Sequence, residues 1–205
     1  MKKIGITGSL ASGKTTASKI LSMRKGPLFS ADDVVKKLYT KAYFRKILSK
    51  KFKIKDDQKF KNSLRKKVLN DKSFIKKLEK MIHPIVRREM RKFIKINKKK
   101  SLIFLEIPLL VESNLVKYFD VIFFIKAKKK IRLQRFIYKG GNKNLFNILN
   151  EKQLSDSKKS SKCDYVVVNE KNIKILKKKL LDILKKYEWN FFRHRNNWLI
   201  IQRRA

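Results

Sequence analysis

The chain has few cysteines, few acidic residues and no long apolar run. Its 205 residues include one cysteine, Cys163, so no disulfide can form within the chain and a reducing compartment is its natural setting. No stretch approaches the roughly 20 apolar residues of a membrane span. The N-terminal MKKIGITGSL also lacks the long apolar centre of a signal peptide. Together with the length, these absences predict one cytoplasmic globular domain without membrane contact.

The shortage of acidic residues leaves the chain strongly basic. Sixteen Asp and Glu stand against 56 Lys and Arg, which gives a formal net charge of +40 at pH 7. Such an excess is typical of nucleic-acid-binding proteins. However, stretches such as NIKILKKKLLDILKK place lysines between apolar residues at helical spacing, as solvated amphipathic helices do. We favour solvated faces over a nucleic-acid surface, because the basic residues are spread along the chain.

Five short apolar segments are predicted to be buried strands, and helical patterns separate them. They are residues 3–7, 27–30, 102–107, 121–125 and 165–168. Near-continuous apolar strands that alternate with helices indicate a parallel sheet covered on both faces. We therefore predict a three-layer α/β fold with a five-stranded parallel sheet.

Two segments are too long or too polar to be simple connections. A lysine-rich helical stretch, about 33–100, is predicted to be an inserted substrate-binding subdomain. The segment at about 132–150 contains the glycine-bearing YKGGNKN and is predicted to be a lid. One domain, residues 1–187, would then have its core in residues 1–32 and 101–187. The remaining residues, 188–205, are predicted to form a tail whose role the pattern does not indicate.

One motif that binds phosphate is complete. Residues 8–15, GSLASGKT, fit G-x-x-x-x-G-K-[ST] between an apolar strand and a helix. Glycines let successive N–H groups point into one concavity that holds phosphate oxygens. Lys14 is predicted to reach the outer phosphates, and the Thr15 hydroxyl is predicted to help hold Mg²⁺. The predicted ATP site comprises Gly8, Ser9, Leu10, Ala11, Ser12, Gly13, Lys14, Thr15 and Thr16.

Further pieces of the sequence occur in an order that resembles a known family. They are Asp32 in FSADD, His83-Pro84 in EKMIHPIV, EIPLLVE from Glu106, Arg135 in IRLQRF, Gln153 in EKQL, and CDYVVVN from Cys163. Over residues 1–187 the chain resembles dephospho-coenzyme A kinases of the phosphate-loop nucleoside monophosphate kinase group. The resemblance implies transfer of the ATP γ-phosphoryl group to the 3′-hydroxyl of dephospho-coenzyme A, the last step of coenzyme A synthesis.

The resemblance also implies roles for individual residues. The predicted catalytic residues are Lys14, Asp32 and Arg135. The predicted contacts to the acceptor are Asp32, His83, Glu106, Pro108, Leu109 and Glu112. Lys139 and Asn169 complete the predicted ATP site. The implied partners are ATP with Mg²⁺ and dephospho-coenzyme A, with neither nucleic acid nor membrane.

Several of these residues have an ordinary structural interpretation as well. Asp32 is an equally good N-cap for a helix that starts at Asp33. His83 precedes Pro84, which fits the first turn of a helix, so we predict a substrate contact or a cap rather than proton transfer. Pro108 and Leu109 are equally consistent with core at a strand end. The turn at Asn169 either flanks the adenine or only connects a strand to a helix.

Three positions depart from the family pattern. Ser30 replaces the first Asp of D-x-D, Glu106 replaces Asp, and Lys139 replaces an arginine. These departures raise the alternative of an inactive descendant that binds ATP without transfer. A kinase for another small molecule or nucleotide is a second alternative, and the +40 charge raises a third, an ATPase stimulated by nucleic acid. Retained functional residues favour an active enzyme; they are Lys14, Thr15, Asp32 and Arg135.

Overall fold

All five predicted strands form one parallel sheet. The computed structural model describes residues 1–57 and 59–202, without the side chains of residues 61, 72 and 188–202. The strands are β1 (Lys2–Gly8), β2 (Leu28–Ser30), β3 (Leu102–Glu106), β4 (Val121–Lys126) and β5 (Tyr165–Val168). They are ordered β2-β3-β1-β4-β5, and each neighbouring pair is parallel. The prediction of a five-stranded parallel sheet is confirmed.

Helices connect the strands and cover both faces of the sheet. They are α1 (Lys14–Ser22), α2 (Ala31–Thr40), α3 (Ala42–Phe52), α4 (Phe60–Asn70), α5 (Lys72–Ile96), α6 (Lys129–Tyr138), α7 (Lys143–Glu151), α8 (Asp156–Ser160) and α9 (Ile173–Gln202). On one face, Leu21 of α1 and Leu180 of α9 pack against the strands. On the other face, Met90 of α5 packs against β3, together with apolar residues that follow β3. This arrangement confirms the three-layer prediction.

The long segment between β2 and β3 is helical, as predicted, and it has a core of its own. Its helices α2 to α5 begin at Ala31, two residues earlier than expected. The buried residues of this core are Leu38, Phe44, Leu48, Ile54, Phe60, Leu64, Phe74 and Ile82. Because these side chains pack mainly on one another, the insertion has a core of its own, while Met90 of its helix α5 packs against the sheet.

The segment predicted to be a lid is a helical hairpin. Between α6 and α7 the chain turns at Gly140, whose φ of 79° lies in the left-handed region that glycine tolerates. The rings of Phe136 and Phe146 pack edge to face across the hairpin, with centroids 5.7 Å apart. Helix α7 also contacts α4. The hairpin therefore touches the helical insertion, while closure of this segment stays a prediction.

The last predicted segment continues a helix. Helix α9 extends to Gln202, so the backbone of residues 188–202 is helical, while residues 203–205 lie outside the described residues. Within the part of the chain that the structure describes, no helix combines the length and apolarity needed to cross a bilayer.

Parallel pairing brings the predicted site residues to one edge of the sheet. Glu106, the last residue of β3, is in register with Ile6 of β1 and Ser30 of β2. The phosphate loop, Asp32 and Pro108 therefore all follow strands that end at the same edge. In open α/β sheets, ligands bind at the carboxyl ends of the strands.

The separate core of the insertion generates a stability prediction. Phe44 is 2% exposed, whereas Ile47 on the same helix is 48% exposed. Phe44→Ala should lower the free energy of unfolding by about 3–5 kcal/mol, because it leaves a cavity in the core of the insertion. The matched variant Ile47→Ala should lower it by much less. Urea unfolding measures both, and equal effects would contradict the assigned packing.

Candidate active site

The phosphate loop has the predicted geometry of strand, turn and helix. It runs from the end of β1 to the start of α1, and Ala11 and Gly13 both have left-handed backbone angles. At Gly13, with φ of 97°, a methyl group added to the α-carbon would lie 2.2 Å from Asn169 Nδ2. A side chain at this position is therefore excluded both by the backbone angle and by the close approach of Asn169.

Side chains from later in the chain hold this loop by its carbonyl groups. The Ser12 carbonyl accepts hydrogen bonds from Asn169 Nδ2 at 2.8 Å and from an Arg135 guanidinium nitrogen at 3.4 Å. The Leu10 carbonyl accepts from Arg132 at 3.3 Å. These contacts account for three polar residues: Arg132, Arg135 and Asn169 support the loop from outside.

Two more contacts fasten the start of the loop to the segment after α7. Leu10 N–H donates to Gln153 Oε1 at 3.0 Å, and the Ser9 hydroxyl donates to Asp156. The predicted ATP residues Ser9 and Leu10 are thus positioned by residues far along the chain. Such a restrained loop is preorganised, because little backbone freedom remains to be lost when phosphate binds.

Lys14 is a buried cation. Its side chain is 8% exposed, and Nζ donates to the Ser9 carbonyl at 3.0 Å. Burial lowers the pKa of Lys14 to about 8, although Asp32 and Glu106 act in the opposite direction. An anionic phosphate beside Nζ would stabilise the ammonium form, so the ligand-free site favours anions.

Glu106 joins the phosphate loop helix to the sheet. It is fully buried, and Oε1 accepts from the Thr15 hydroxyl at 2.7 Å while Oε2 accepts from the Ser18 hydroxyl at 3.0 Å. These two hydroxyl donors satisfy a carboxylate that would otherwise be expensive to bury. The pair places two hard oxygen ligands, the Thr15 hydroxyl and the Glu106 carboxylate, side by side.

Two cavities meet beside the phosphate loop. The first, about 390 Å³ and here called the phosphate cavity, is lined by Leu10, Ala11, Gly13, Lys14, Thr15, Thr16, Asp32, Ile75, Glu79, Pro108, Leu109, Phe136, Lys139, Leu149, Lys152 and Gln153. The second, about 490 Å³ and here called the acceptor cavity, is lined by Ala31, Asp32, Val35, Leu78, Glu79, Ile82, His83, Val86, Arg87, Ile107, Pro108, Leu109, Ser113, Leu115 and Leu149. Asp32 borders both cavities.

The structure brings most of the predicted residues to these cavities. Pro108 and Leu109 line both, His83 lines the acceptor cavity, and Lys139 lines the phosphate cavity beside Lys14. Glu106 contacts the Thr15 hydroxyl through the hydrogen bond described above. Arg135 supports the loop and donates to the Asn169 carbonyl at 3.0 Å. The substrate and catalytic roles of these residues stay predictions.

Glu112 is placed elsewhere. Its Oε1 forms an ion pair of 2.6 Å with Nζ of Lys159, which is fully buried, and also accepts from Leu154 N–H. Lys159 in turn approaches Gln153 Oε1 at 3.4 Å. Glu112 does not line the acceptor cavity, so its predicted substrate contact stays a prediction, and the contact that the structure provides is a counterion for Lys159.

Two interpretations as helix caps are wrong. Ser30, not Asp32, is the N-cap of α2, because its hydroxyl accepts from Asp33 N–H at 3.3 Å. Asp32 lies in the first helical turn, where its side chain faces the cavities. Pro84 lies in the interior of α5 rather than in a first turn. A proline there removes one helical hydrogen bond, so packing of the flanking turns has to stabilise the helix.

Sequence reasoning missed several residues of the two cavities. Glu79 and Arg87 lie four residues before and after His83 on α5, and all three line the acceptor cavity. Spacing of four places side chains on one helix face, so this signal was present in the sequence. Lys152, which lines the phosphate cavity, and Lys159, the partner of Glu112, carry no such signal, because lysine is too common in this chain for a single one to be distinguished.

Phosphate loop, parallel sheet, helical insertion and a cavity on each side of Asp32 define a phosphate-loop kinase. Among the described residues, no group of three or more His, Cys, Asp or Glu side chains could hold a metal ion.

Comparisons with known proteins identify the family within the class of phosphate-loop kinases. The model of the dephospho-CoA kinase family matches residues 2–174. Dephospho-CoA kinase of Bartonella henselae is 30% identical over 190 residues, which cover 90% of this chain and 97% of that protein. The Rickettsia typhi enzyme is 32% identical over 191 residues, covering 92% and 98%. The chain therefore belongs to the dephospho-CoA kinase family and is an ATP-dependent phosphotransferase.

Solved structures share the fold. A Thermus thermophilus protein superposes with a TM-score of 0.72 at 24% identity, covering 90% of this chain and 97% of that one. A dephospho-CoA kinase from Campylobacter jejuni gives 0.61 at 24% identity, covering 91% and 98%. Shikimate kinase of Acinetobacter baumannii gives 0.56 at 13% identity, covering 93% and 94%. The fold is that of small-molecule phosphate-loop kinases.

The buried position of Lys14 predicts a pH dependence. Its pKa is about 8 in the ligand-free protein and 10.5 in an ordinary environment, so the ammonium loses its proton as the pH rises through 8. Affinity for ATP should therefore fall above pH 8, and binding there should take up protons, which calorimetry in buffers of different ionisation enthalpy measures.

Stability of the ligand-free protein should change in the opposite direction. The unfolded chain keeps the Lys14 proton up to about its ordinary pKa, so this residue makes folding more favourable as the pH rises from about 8 to 10.5. Lys14→Met should remove this increment from the difference between the two proteins. An unchanged pH profile in Lys14→Met would contradict the assignment.

The close approach at Gly13 predicts a loop defect. Gly13→Ala should abolish measurable ATP binding, because the new methyl group must displace Asn169 from the Ser12 carbonyl. Gly140→Ala is the matched control, since its φ is also positive but nothing lies within 4 Å of the added carbon. Equal ATP affinities of the two variants, measured by titration calorimetry, would show that the Asn169 contact does not shape the loop.

Proposed function

We propose that the protein transfers the γ-phosphoryl group of ATP to the ribose 3′-hydroxyl of dephospho-coenzyme A, giving coenzyme A. The observation that carries the proposal is that Asp32 borders both the phosphate cavity and the acceptor cavity. A group that accepts or orients the proton of an attacking hydroxyl has to contact the acceptor close to the phosphoryl group that is transferred. Family membership supports the choice of acceptor.

The phosphate loop binds and orients the donor. Lys14 is directed by its hydrogen bond to the Ser9 carbonyl along the inner side of the loop, where it neutralises charge on the outer phosphates. Lys139 adds a second cation from the α6–α7 turn. Phosphoryl transfer needs positioning and charge stabilisation rather than covalent chemistry, and a preformed loop supplies both.

The residues present fit a magnesium ion. Thr15 Oγ1 and the Glu106 carboxylate are oxygen ligands of the kind that Mg²⁺ prefers. We propose that Thr15 holds the ion and that Glu106 orients Thr15. When bound, the ion would supply positive charge that offsets the negative charge of the phosphates.

The helical insertion binds the acceptor in this proposal. Most residues that line the acceptor cavity are apolar, which suits a long pantetheine arm, and α5 contributes the polar residues His83 and Arg87. Asp32 orients the attacking hydroxyl and takes its proton as the bond to the phosphoryl group forms. The hairpin at about 132–150 closes over the donor and excludes water. We also propose a cytoplasmic location, because the single free cysteine suits a reducing compartment and the substrates are found there.

The direct test is mass spectrometry of a reaction with Mg²⁺-ATP and dephospho-coenzyme A. The expected product is one phosphate heavier than the acceptor and carries that phosphate on the 3′-hydroxyl. Parallel reactions with nucleoside monophosphates should give no product, and ATP hydrolysis should not rise with single-stranded RNA. RNA-stimulated hydrolysis without a phosphorylated acceptor would contradict the proposal and would make the +40 charge the functional feature.

Asp32 generates a kinetic prediction. Asp32→Asn should lower kcat by about 10²–10⁴-fold, because the amide cannot accept the proton, while ATP affinity stays within a factor of a few. Asp33→Asn is the matched control: this neighbouring carboxylate pairs with Lys36 at 2.9 Å and borders neither cavity. Rapid-quench kinetics compares the two variants. Equal kcat values would remove Asp32 from the reaction.

A further inference from the structure

The phosphate cavity contains a cation whose presence the fold does not explain. Lys152 directly follows α7 and lines this cavity together with Lys14 and Lys139. Its Nζ is buried, and among the described residues it has no hydrogen-bond partner. A buried ammonium without a partner destabilises the protein that contains it. Its position therefore points to a partner that binds from outside.

Other buried lysines of the chain show how the fold normally satisfies an ammonium. Lys14 donates to the Ser9 carbonyl at 3.0 Å, and Lys159 pairs with Glu112 at 2.6 Å. Lys152 differs from both. Its backbone is also fixed beside the phosphate loop, because the next residue, Gln153, accepts a hydrogen bond from Leu10 N–H. Lys152 is thus held at the wall of the cavity that adjoins the phosphate loop.

The charges around the cavity favour an anion. Three lysines, Lys14, Lys139 and Lys152, face two carboxylates, Asp32 and Glu79. Asp32 marks the side of the cavity that adjoins the acceptor. The phosphate group that must come to lie between the loop lysine and Asp32 is the one that is transferred. Its three equatorial oxygens carry most of the charge in the transition state.

We propose that Lys152 donates hydrogen bonds to the γ-phosphoryl oxygens of ATP and supplies a further cation for the transfer. The proposal rests on the ATP site of the proposed function but not on the identity of the acceptor. Lys152 is then a catalytic residue, since it touches the reacting group, and its unpartnered state in the free protein is relieved when ATP binds.

Glu112 offers a competing partner. Its Oε2 is also buried without a hydrogen-bond partner among the described residues, and it lines with Lys152 an adjoining cavity of about 330 Å³. A Lys152–Glu112 pair would make Lys152 a structural residue. The two possibilities predict opposite changes in the stability of the free protein, which makes them separable.

The test compares Lys152→Met with Lys143→Met, which removes an exposed lysine from the same helix region. We expect Lys152→Met to leave the melting temperature of the ligand-free protein unchanged or higher, because an unpaired buried charge is lost. Affinity for the β,γ-imido analogue of ATP should fall about 10- to 100-fold, the effect of one hydrogen bond to a charged group. Affinity for ADP should change less than about threefold, and Lys143→Met should change neither.

Three results would overturn the proposal. They are a lower melting temperature or failure of Lys152→Met to fold, an equal loss of affinity for ADP and the imido analogue, and an unchanged affinity for the imido analogue. Lys152→Arg, which keeps the charge, should retain most of the discrimination between the imido analogue and ADP. Nucleotide binding is measured without an acceptor. If the wild-type protein failed to phosphorylate dephospho-coenzyme A, the proposed function would be refuted, but the test of Lys152 would still be valid.

Discussion

The site depends on one constraint, which is that side chains from later in the sequence must hold the phosphate loop in place. The Ser12 carbonyl receives Asn169 and Arg135, which come from the segment after β5 and from α6. Gln153 fixes the loop from a third segment. Because these contacts come from residues 135 to 169, the phosphate site is complete only when these later segments have packed against the loop. Burial of Glu106 against Thr15 and Ser18 ties the same loop to β3.

The other site residues lie at the same edge of the sheet as this restrained loop. Parallel strands end at the same edge of the sheet. The strand order alone therefore brings together the residues that follow β1, β2 and β3. The helical insertion begins after Ser30 and has its own core. Its helix α5 lines the acceptor cavity. Asp32 occupies the first turn of the insertion and therefore stands between the donor side and the acceptor side.

Much of this was readable from the sequence, because the signals were local. Apolar runs bounded by turns predicted the strands, and residues 8–15 predicted the loop. The caps were misassigned, since both Ser30 and Asp32 suit an N-cap and only the backbone decides which one begins the helix. Pro84 was misplaced because tertiary packing tolerates a proline that local rules exclude. The sequence did not predict the Glu112–Lys159 pair or the buried Nζ of Lys152, because burial of a particular lysine depends on contacts between distant parts of the chain.

In the proposed mechanism, Asp32 lies where the two substrates meet. A crystal structure with the β,γ-imido analogue of ATP and dephospho-coenzyme A tests this position directly. We expect the γ-phosphate beside Lys14 and the ribose 3′-hydroxyl within hydrogen-bond reach of the Asp32 carboxylate, about 2.6–3.2 Å. An acceptor bound away from the cavity between Asp32 and α5, with Asp32 touching neither ligand, would contradict it.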